Sequence, residues 1–176
     1  MFSVYKLPIE IVVLIGDRDS GKSTTLDGLF SQKYKKIPCL NVGRKSVCTC
    51  GGKKSVQEEV EFCNFEKVIE KIKSRIQKCM QRRGNNITIV IPFTIEIGGR
   101  KSGTKGKINR ECIIEPLKWL KDNYKTYIVY LRGGKRQADI PLIDTLMKEI
   151  GFDLKIESRN APQEQAKELI TFIERL

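Results

Sequence analysis

Histidine is absent from all 176 residues, and with it goes every mechanism that needs an imidazole. No Ser-His-Asp triad, Cys-His nucleophile pair or His-ligated metal centre can be assembled, because the side chain that moves protons near neutral pH is missing. Long apolar runs are missing too. None approaches the roughly 18 residues of a membrane span, and the first ten residues carry no charged stretch followed by an apolar one, as a secretory signal would. A cytoplasmic protein without a membrane partner is the expectation. Aromatic residues are sparse, and Trp119 and Tyr124 fall in or beside a helical stretch, where they read as packing groups rather than a base-stacking platform.

Acidic residues are missing from two windows. None lies between Asp27 and Glu58, which enclose Lys33, Lys35, Lys36, Arg44, Lys45, Lys53 and Lys54. None lies between Glu96 and Glu111, which enclose Arg100, Lys101, Lys105, Lys107 and Arg110. The whole chain carries 33 Lys and Arg against 21 Asp and Glu, a net charge of +12 that favours anionic partners: nucleotides, nucleic acid or an acidic protein surface. The length fits a single domain with its own core, numbered 1–176, with a basic insertion at about 33–57 and a flexible basic loop at about 98–107.

What is present alternates between two periodicities. Ile9–Ile15 is a short β-branched run suited to a strand buried on both faces, and Ser23–Phe30 can begin a helix. Asn64 onwards repeats apolar residues at three- and four-residue steps (Phe65, Val68, Ile69, Ile72, Ile76, Cys79), predicting an amphipathic helix closed by Gly84. Ile87–Ile91 predicts a second core strand that Pro92 ends or bends. Glu111–Tyr124 reads as a helix containing Pro116, Thr126–Leu131 as a third strand and Pro141–Ile150 as a helix capped by Gly151. Leu154–Ile156 reads as a short strand, and Pro162 opens a last helix with Ala166, Leu169, Ile170 and Ile173 inward. Strands alternating with helices imply βαβ units and a mainly parallel sheet.

Gly16-Asp17-Arg18-Asp19-Ser20-Gly21-Lys22-Ser23 satisfies G-x-x-x-x-G-K-[ST] between a predicted strand and a predicted helix, the context in which such a loop cradles phosphates. Glycines let consecutive amides converge on phosphate oxygens, and a helix N-terminus adds partial positive charge. Lys22 would face the β- and γ-phosphates, Ser23 would offer its hydroxyl to Mg²⁺, and Thr24 would reach the α-phosphate.

On these residues the chain resembles the P-loop NTPase superfamily. The resemblance implies a three-layer α/β fold with a mainly parallel sheet flanked by helices. It also implies nucleotide binding through Gly16, Asp17, Arg18, Asp19, Ser20, Gly21, Lys22, Ser23 and Thr24, with Mg²⁺ as cofactor. Features similar to two subfamilies are mixed. Gly-Asp-x-x-x-Gly-Lys-Ser-Thr and Leu154–Ser158 resemble small GTPases, but the [NT]-K-x-D guanine signature is absent. The basic stretch Arg132, Lys135, Arg136 and the ending Pro162-x-Glu164-x-Ala166 resemble small-molecule and nucleotide kinases.

The expected activity is hydrolysis of ATP, ahead of GTP, coupled to a partner. The alternatives are a phosphotransferase acting on a nucleotide or small anionic metabolite, and a non-catalytic nucleotide sensor or nucleic-acid-binding protein. Glu96 is the best acid near the end of the second core strand for orienting Mg²⁺ or activating water, with Asp17 and Asp19 as alternatives. Arg100, Lys101, Lys105 and Arg110, or Arg132 and Arg136, are candidates to neutralise the transferring phosphoryl group. Cys39, Cys48, Cys50 and Cys63 have the ligand types of a zinc site without paired C-x₂-C spacing. Cys79 and Cys112 read as small buried hydrophobes, and disulfides are not expected.

Overall fold

The computed structural model describes residues 7–29, 39–49, 55–59, 64–95, 97, 108, 110–134, 137–158 and 161–176. Six strands form one sheet: β1 (Leu7–Asp17), β2 (Cys39–Val42), β3 (Lys45–Cys48), β4 (Ile87–Ile95), β5 (Tyr124–Arg132) and β6 (Leu154–Glu157). Among the described residues five α-helices accompany them: α1 (Lys22–Leu29), α2 (Phe65–Arg83), α3 (Glu111–Asn123), α4 (Ile140–Ile150) and α5 (Pro162–Arg175). The strand order is β2-β3-β4-β1-β5-β6, and every neighbouring pair is parallel except the β2–β3 hairpin. This is the expected α/β arrangement with a mainly parallel sheet.

Alternation along the strands builds a core on each side. Ile9, Ile11, Val13 and Ile15 of β1 pack with Val68, Ile72 and Ile76 of α2, Ile113, Leu117 and Leu120 of α3, and Ile143, Leu146 and Met147 of α4. Val12 and Leu14 point the other way, to Leu26 and Leu29 of α1 and Leu169 and Ile173 of α5. A strand covered on both faces has no polar side to show, which is why β1 reads as an unbroken apolar run. The layers also set the chain's routing. After β1 the chain passes to the α1/α5 face, whereas after β4 and β5, its two neighbours, it passes to the opposite face. The carboxyl end of β1 is therefore a topological switch point, where a crevice opens above a parallel sheet.

Local signals account for most boundaries. Asn64 caps α2 by accepting from the amides of Glu66 and Lys67 at 3.0 and 3.3 Å, and Gly84 closes the helix at φ 75°. Pro92, expected to end or bend its strand, lies inside β4 opposite Leu14. The amide of Thr94 leaves the β1 ladder and donates to Gln57 Oε1 at 3.0 Å. Pro92, two residues earlier, directs its nitrogen to the same outer side, beyond the last β3–β4 pair at Cys48, so it costs no ladder bond. Part of the basic insertion is the β2–β3 hairpin, at one edge of the sheet.

The cysteine reading is corrected. Cys39 and Cys48 stand directly opposite in the antiparallel register and form a disulfide, with Cα atoms 4.2 Å apart. That removes two of the four thiolates proposed for zinc; Cys50 and Cys63 lie outside the described residues. Cys79 and Cys112 are disulfide-bonded as well, not isolated small hydrophobes. No described helix is long and apolar enough to cross a membrane.

Candidate functional site

The loop Gly16–Ser23 occupies the switch-point crevice. It leaves β1 through a turn in which Ser20 N donates to Asp17 O at 3.0 Å, passes Gly21 at φ 88° and enters α1. A left-handed backbone of this kind favours glycine. Gly16 is constrained by proximity instead: a Cβ there would stand 2.5 Å from the Leu131 carbonyl of β5 and 2.5 Å from Ser20 Oγ. Both glycines of the motif thus have a steric reason in this fold.

Lys22 is buried, and its ammonium turns into the hollow of the loop, donating to Gly16 O at 3.0 Å, to Ser20 Oγ at 3.3 Å and to Asp17 O. The first amides of α1 lie beyond the reach of the helix's own ladder and face the same hollow, joining the dipole's positive end to the lysine. Ser23 and Thr24 are exposed on the first turn. Thr24 Oγ1 donates to Gly21 O at 2.8 Å, the Thr25 amide donates to Gly21 O at 2.9 Å, and the Thr25 hydroxyl shares its one proton between Gly21 O and Gln165 Oε1, each at 2.9 Å. Gln165, buried at the start of α5, therefore holds the turn from behind. Sequence periodicity could not have singled it out, since its partner is 140 residues away.

Asp17 and Asp19 separate in environment. Asp17 is buried, its carboxylate accepting the Arg18 amide at 2.7 Å and lying against Gly134. Arg18 and Asp19 are exposed. Beside the loop a cleft of about 290 Å³ is lined by Asp19, Arg132, Gly133, Gly134, Gln137, Ile140, Glu157 and Ser158, so the ends of β5 and β6 meet the phosphate-loop candidate along one wall. Of these Asp19 and Arg132 figure among the sequence candidates, and Glu157 and Ser158 belong to the Leu154–Ser158 stretch that resembles small GTPases; the β5–β6 pairing brings that stretch beside Arg132.

Arg132 is not a mobile cation. Its guanidinium makes a forked contact with Asp144 (Nε at 2.9 and 3.1 Å, Nη2 at 2.9 Å) and reaches Glu157 at 3.4 Å, while the Tyr130 hydroxyl donates to Asp144 at 2.9 Å. Burial favours the neutral form of Asp144, but these donors outweigh it and hold the carboxyl below its usual range. Burial together with the Asp144 acceptor pushes the Tyr130 phenol up. The group thus acts as a rigid strut joining β5, α4 and the wall of the cleft. Arg110, another candidate for the phosphoryl group, forms an ion pair with Glu149. Glu96, residues 98–107, Lys135 and Arg136 lie outside the described residues.

β4, beside β1, carries one hydroxyl in its last residues. Thr94 pairs with Gly16 in the register, and its Oγ1 donates to Ser55 Oγ at 2.7 Å, both side chains being buried. Among the described residues no cluster of three or more Cys, Asp or Glu could hold a metal ion. Ser23, exposed on the first turn of α1, suits Mg²⁺ as a single oxygen ligand, because that ion takes most of its shell from phosphate and water.

No protein-family model and no curated protein matches the chain. Among solved structures it is similar to the FeoB G-domain from Methanococcus jannaschii (14% identity, TM-score 0.43), the match covering 96% of this chain and 99% of that one. It is similar also to a probable GTP-binding protein engB (19% identity, TM-score 0.45), covering 94% and 98%.

Proposed function

We propose that the domain binds a nucleoside triphosphate, with the polyphosphate on Gly16–Thr24 and the nucleoside in the cleft between Gly133–Gly134 and Glu157–Ser158, and hydrolyses it. The observation that carries this reading is the buried Lys22 ammonium aimed into a glycine-bounded loop at the switch point of the sheet. A phosphate oxygen competes with the carbonyls of Gly16 and Asp17 for that ammonium, and the amides of α1 add donors already in place, so little reorganisation accompanies binding. Arg18 lies exposed on the same loop. Ser23 is the residue that would hold Mg²⁺, which would supply positive charge to the bound polyphosphate.

Glu96 is the proposed water-activating acid: it follows Ile95, whose register partner is Asp17. No residue lining the cleft singles out adenine, so the earlier preference for ATP is set aside and the ligand is assigned as a class, ATP and GTP alike. The test is phosphate release from Mg·ATP and Mg·GTP by the wild type and by Glu96→Gln, beside equilibrium binding of both nucleotides. Binding with turnover that the variant loses is the expected result. Binding without turnover in the wild type favours a nucleotide sensor, a reading that the Thr94 hydroxyl near the end of β4 supports. Consumption of an added acceptor in step with nucleotide favours a phosphotransferase, and absence of binding rejects the site.

A further inference from the structure

The end of the sheet opposite the loop collects cations from four separate elements. The register pair Ser46↔Ile87 sets the β2–β3 turn, with Arg44, level with the end of α2, which carries Lys78, Arg82 and Arg83. Lys121 near the end of α3 and Lys125 at the start of β5 border the same surface, because Glu10↔Thr88 and Glu10↔Lys125 place these strand starts side by side. All six are exposed.

Ordinary structural roles use up only part of this charge. Glu10 is the internal counter-ion: its two carboxylate oxygens accept Lys45 at 2.8 Å and Lys125 at 3.1 Å. Burial raises its affinity for a proton, but the two lysines prevail and keep it below the usual carboxylate range. Lys121 donates to the Ile150 carbonyl at 3.4 Å. Cations in a last turn offset the negative end of a helix dipole, which explains one residue of the Arg82–Arg83 pair but not the rest. Among the described residues, Arg44, Lys78, Arg82 and Arg83 engage no carboxylate.

We propose that this end of the domain is a docking surface for the phosphate backbone of nucleic acid, separate from the nucleotide loop and able to be occupied together with it. The occupant is argued from charge and from what accompanies the charge. Spaced cations from a turn, two helix ends and a strand start suit a repeating anionic chain read through its phosphates. A lipid surface is recognised by cations interleaved with inserting apolar side chains. Of the exposed large apolar residues among those described, Phe65 and Leu142 open their helices at the loop end of the sheet, which leaves a single one, Phe152, tilted against the Tyr130 ring, at the cation end.

The test is fluorescence anisotropy of the full chain with a labelled 24-base-pair DNA duplex between 50 and 200 mM salt. Lys125 being engaged by Glu10, the other five cations at about 0.9 counterion each predict an affinity loss of about 500-fold across that range. The triple variant Arg82→Gln, Arg83→Gln, Lys121→Gln removes three of them and should lose only about 10-fold, binding more weakly at 50 mM. Its stabilisation by nucleotide should match the wild type, since these side chains are exposed and distant from the loop. An unchanged salt slope in the triple variant, or absence of duplex binding at 50 mM, overturns the proposal. So does equal retention on phosphatidylserine vesicles or polyglutamate. Nucleotide binding is scored in separate samples, so failure of either reading is visible without the other.

Discussion

Replacing Gly16 by alanine places a methyl group 2.5 Å from the Leu131 carbonyl oxygen and 2.5 Å from Ser20 Oγ. Ser20 is fully buried and accepts from Lys22, and the Leu131 carbonyl belongs to a strand paired on both sides, so neither neighbour can withdraw cheaply. Overpacking of this kind costs about 1–3 kcal/mol. For a domain of this size that lowers the thermal midpoint by about 2–12 °C. Gly28→Ala is the internal comparison. Its Cβ would meet Ala166 Cβ at 2.9 Å and the Pro162 carbonyl at 3.3 Å, a tight contact between α1 and α5. There, however, alanine regains about 0.8–1 kcal/mol of helix propensity. Calorimetry of both variants should show Gly16→Ala the more destabilised, with its stabilisation by nucleotide also reduced. A midpoint within 1 °C of the wild type, or a reversed order, would refute the steric reasoning at the start of the loop.

Three further outcomes follow from the same geometry. Asp144 is held below its ordinary value, so its contribution is complete above the unfolded carboxyl value of about 3.9 and disappears as pH falls through the lower folded value; urea midpoints from pH 6 to pH 2 should decline more steeply for the wild type than for Asp144→Asn. The Cys39–Cys48 bond spans a separation of 9 residues, worth about 2.5 kcal/mol in the chain-entropy account, so the Cys39→Ser, Cys48→Ser double variant should melt about 5–10 °C lower. Gln165→Ala removes one of the two acceptors of the buried Thr25 hydroxyl, leaving the Gly21 carbonyl, and should cost about 0.5–1.5 kcal/mol by urea unfolding, with weaker nucleotide stabilisation that Gln165→Glu, which keeps a carboxyl oxygen, partly restores.

The elements with one dominant periodicity were legible from the chain alone. β1 and α2 announce themselves by an unbroken β-branched run and by three- and four-residue spacing, and their observed bounds extend the expected ones only slightly. The glycine-lysine loop was legible because its spacing and flanking elements are local. What escaped depends on contacts between distant segments. Pro92 stays within a strand because β3 ends before it, a fact of register rather than of residue type. Arg132 looked like a cation for phosphate until folding brought Asp144 beside it, and Gln165 became part of the loop's support only through the packing of α5 on α1. The disulfide was missed for a similar reason: Cys39 and Cys48 are opposed only if the intervening residues make a hairpin of that register.

The central claim is that Gly16–Thr24 is a polyphosphate site organised by Lys22, and thermal stabilisation by Mg·ATP, Mg·GTP, Mg·ADP and Mg·GDP, compared between the wild type and Lys22→Ala, tests it most directly. A ligand present at 100 times its dissociation constant adds about 2.7 kcal/mol, or about 5–11 °C for this size of domain. The account predicts such a rise for at least one triphosphate in the wild type and its collapse in a Lys22→Ala protein that remains folded. No rise with any of the four, or an equal rise without the lysine, would contradict it.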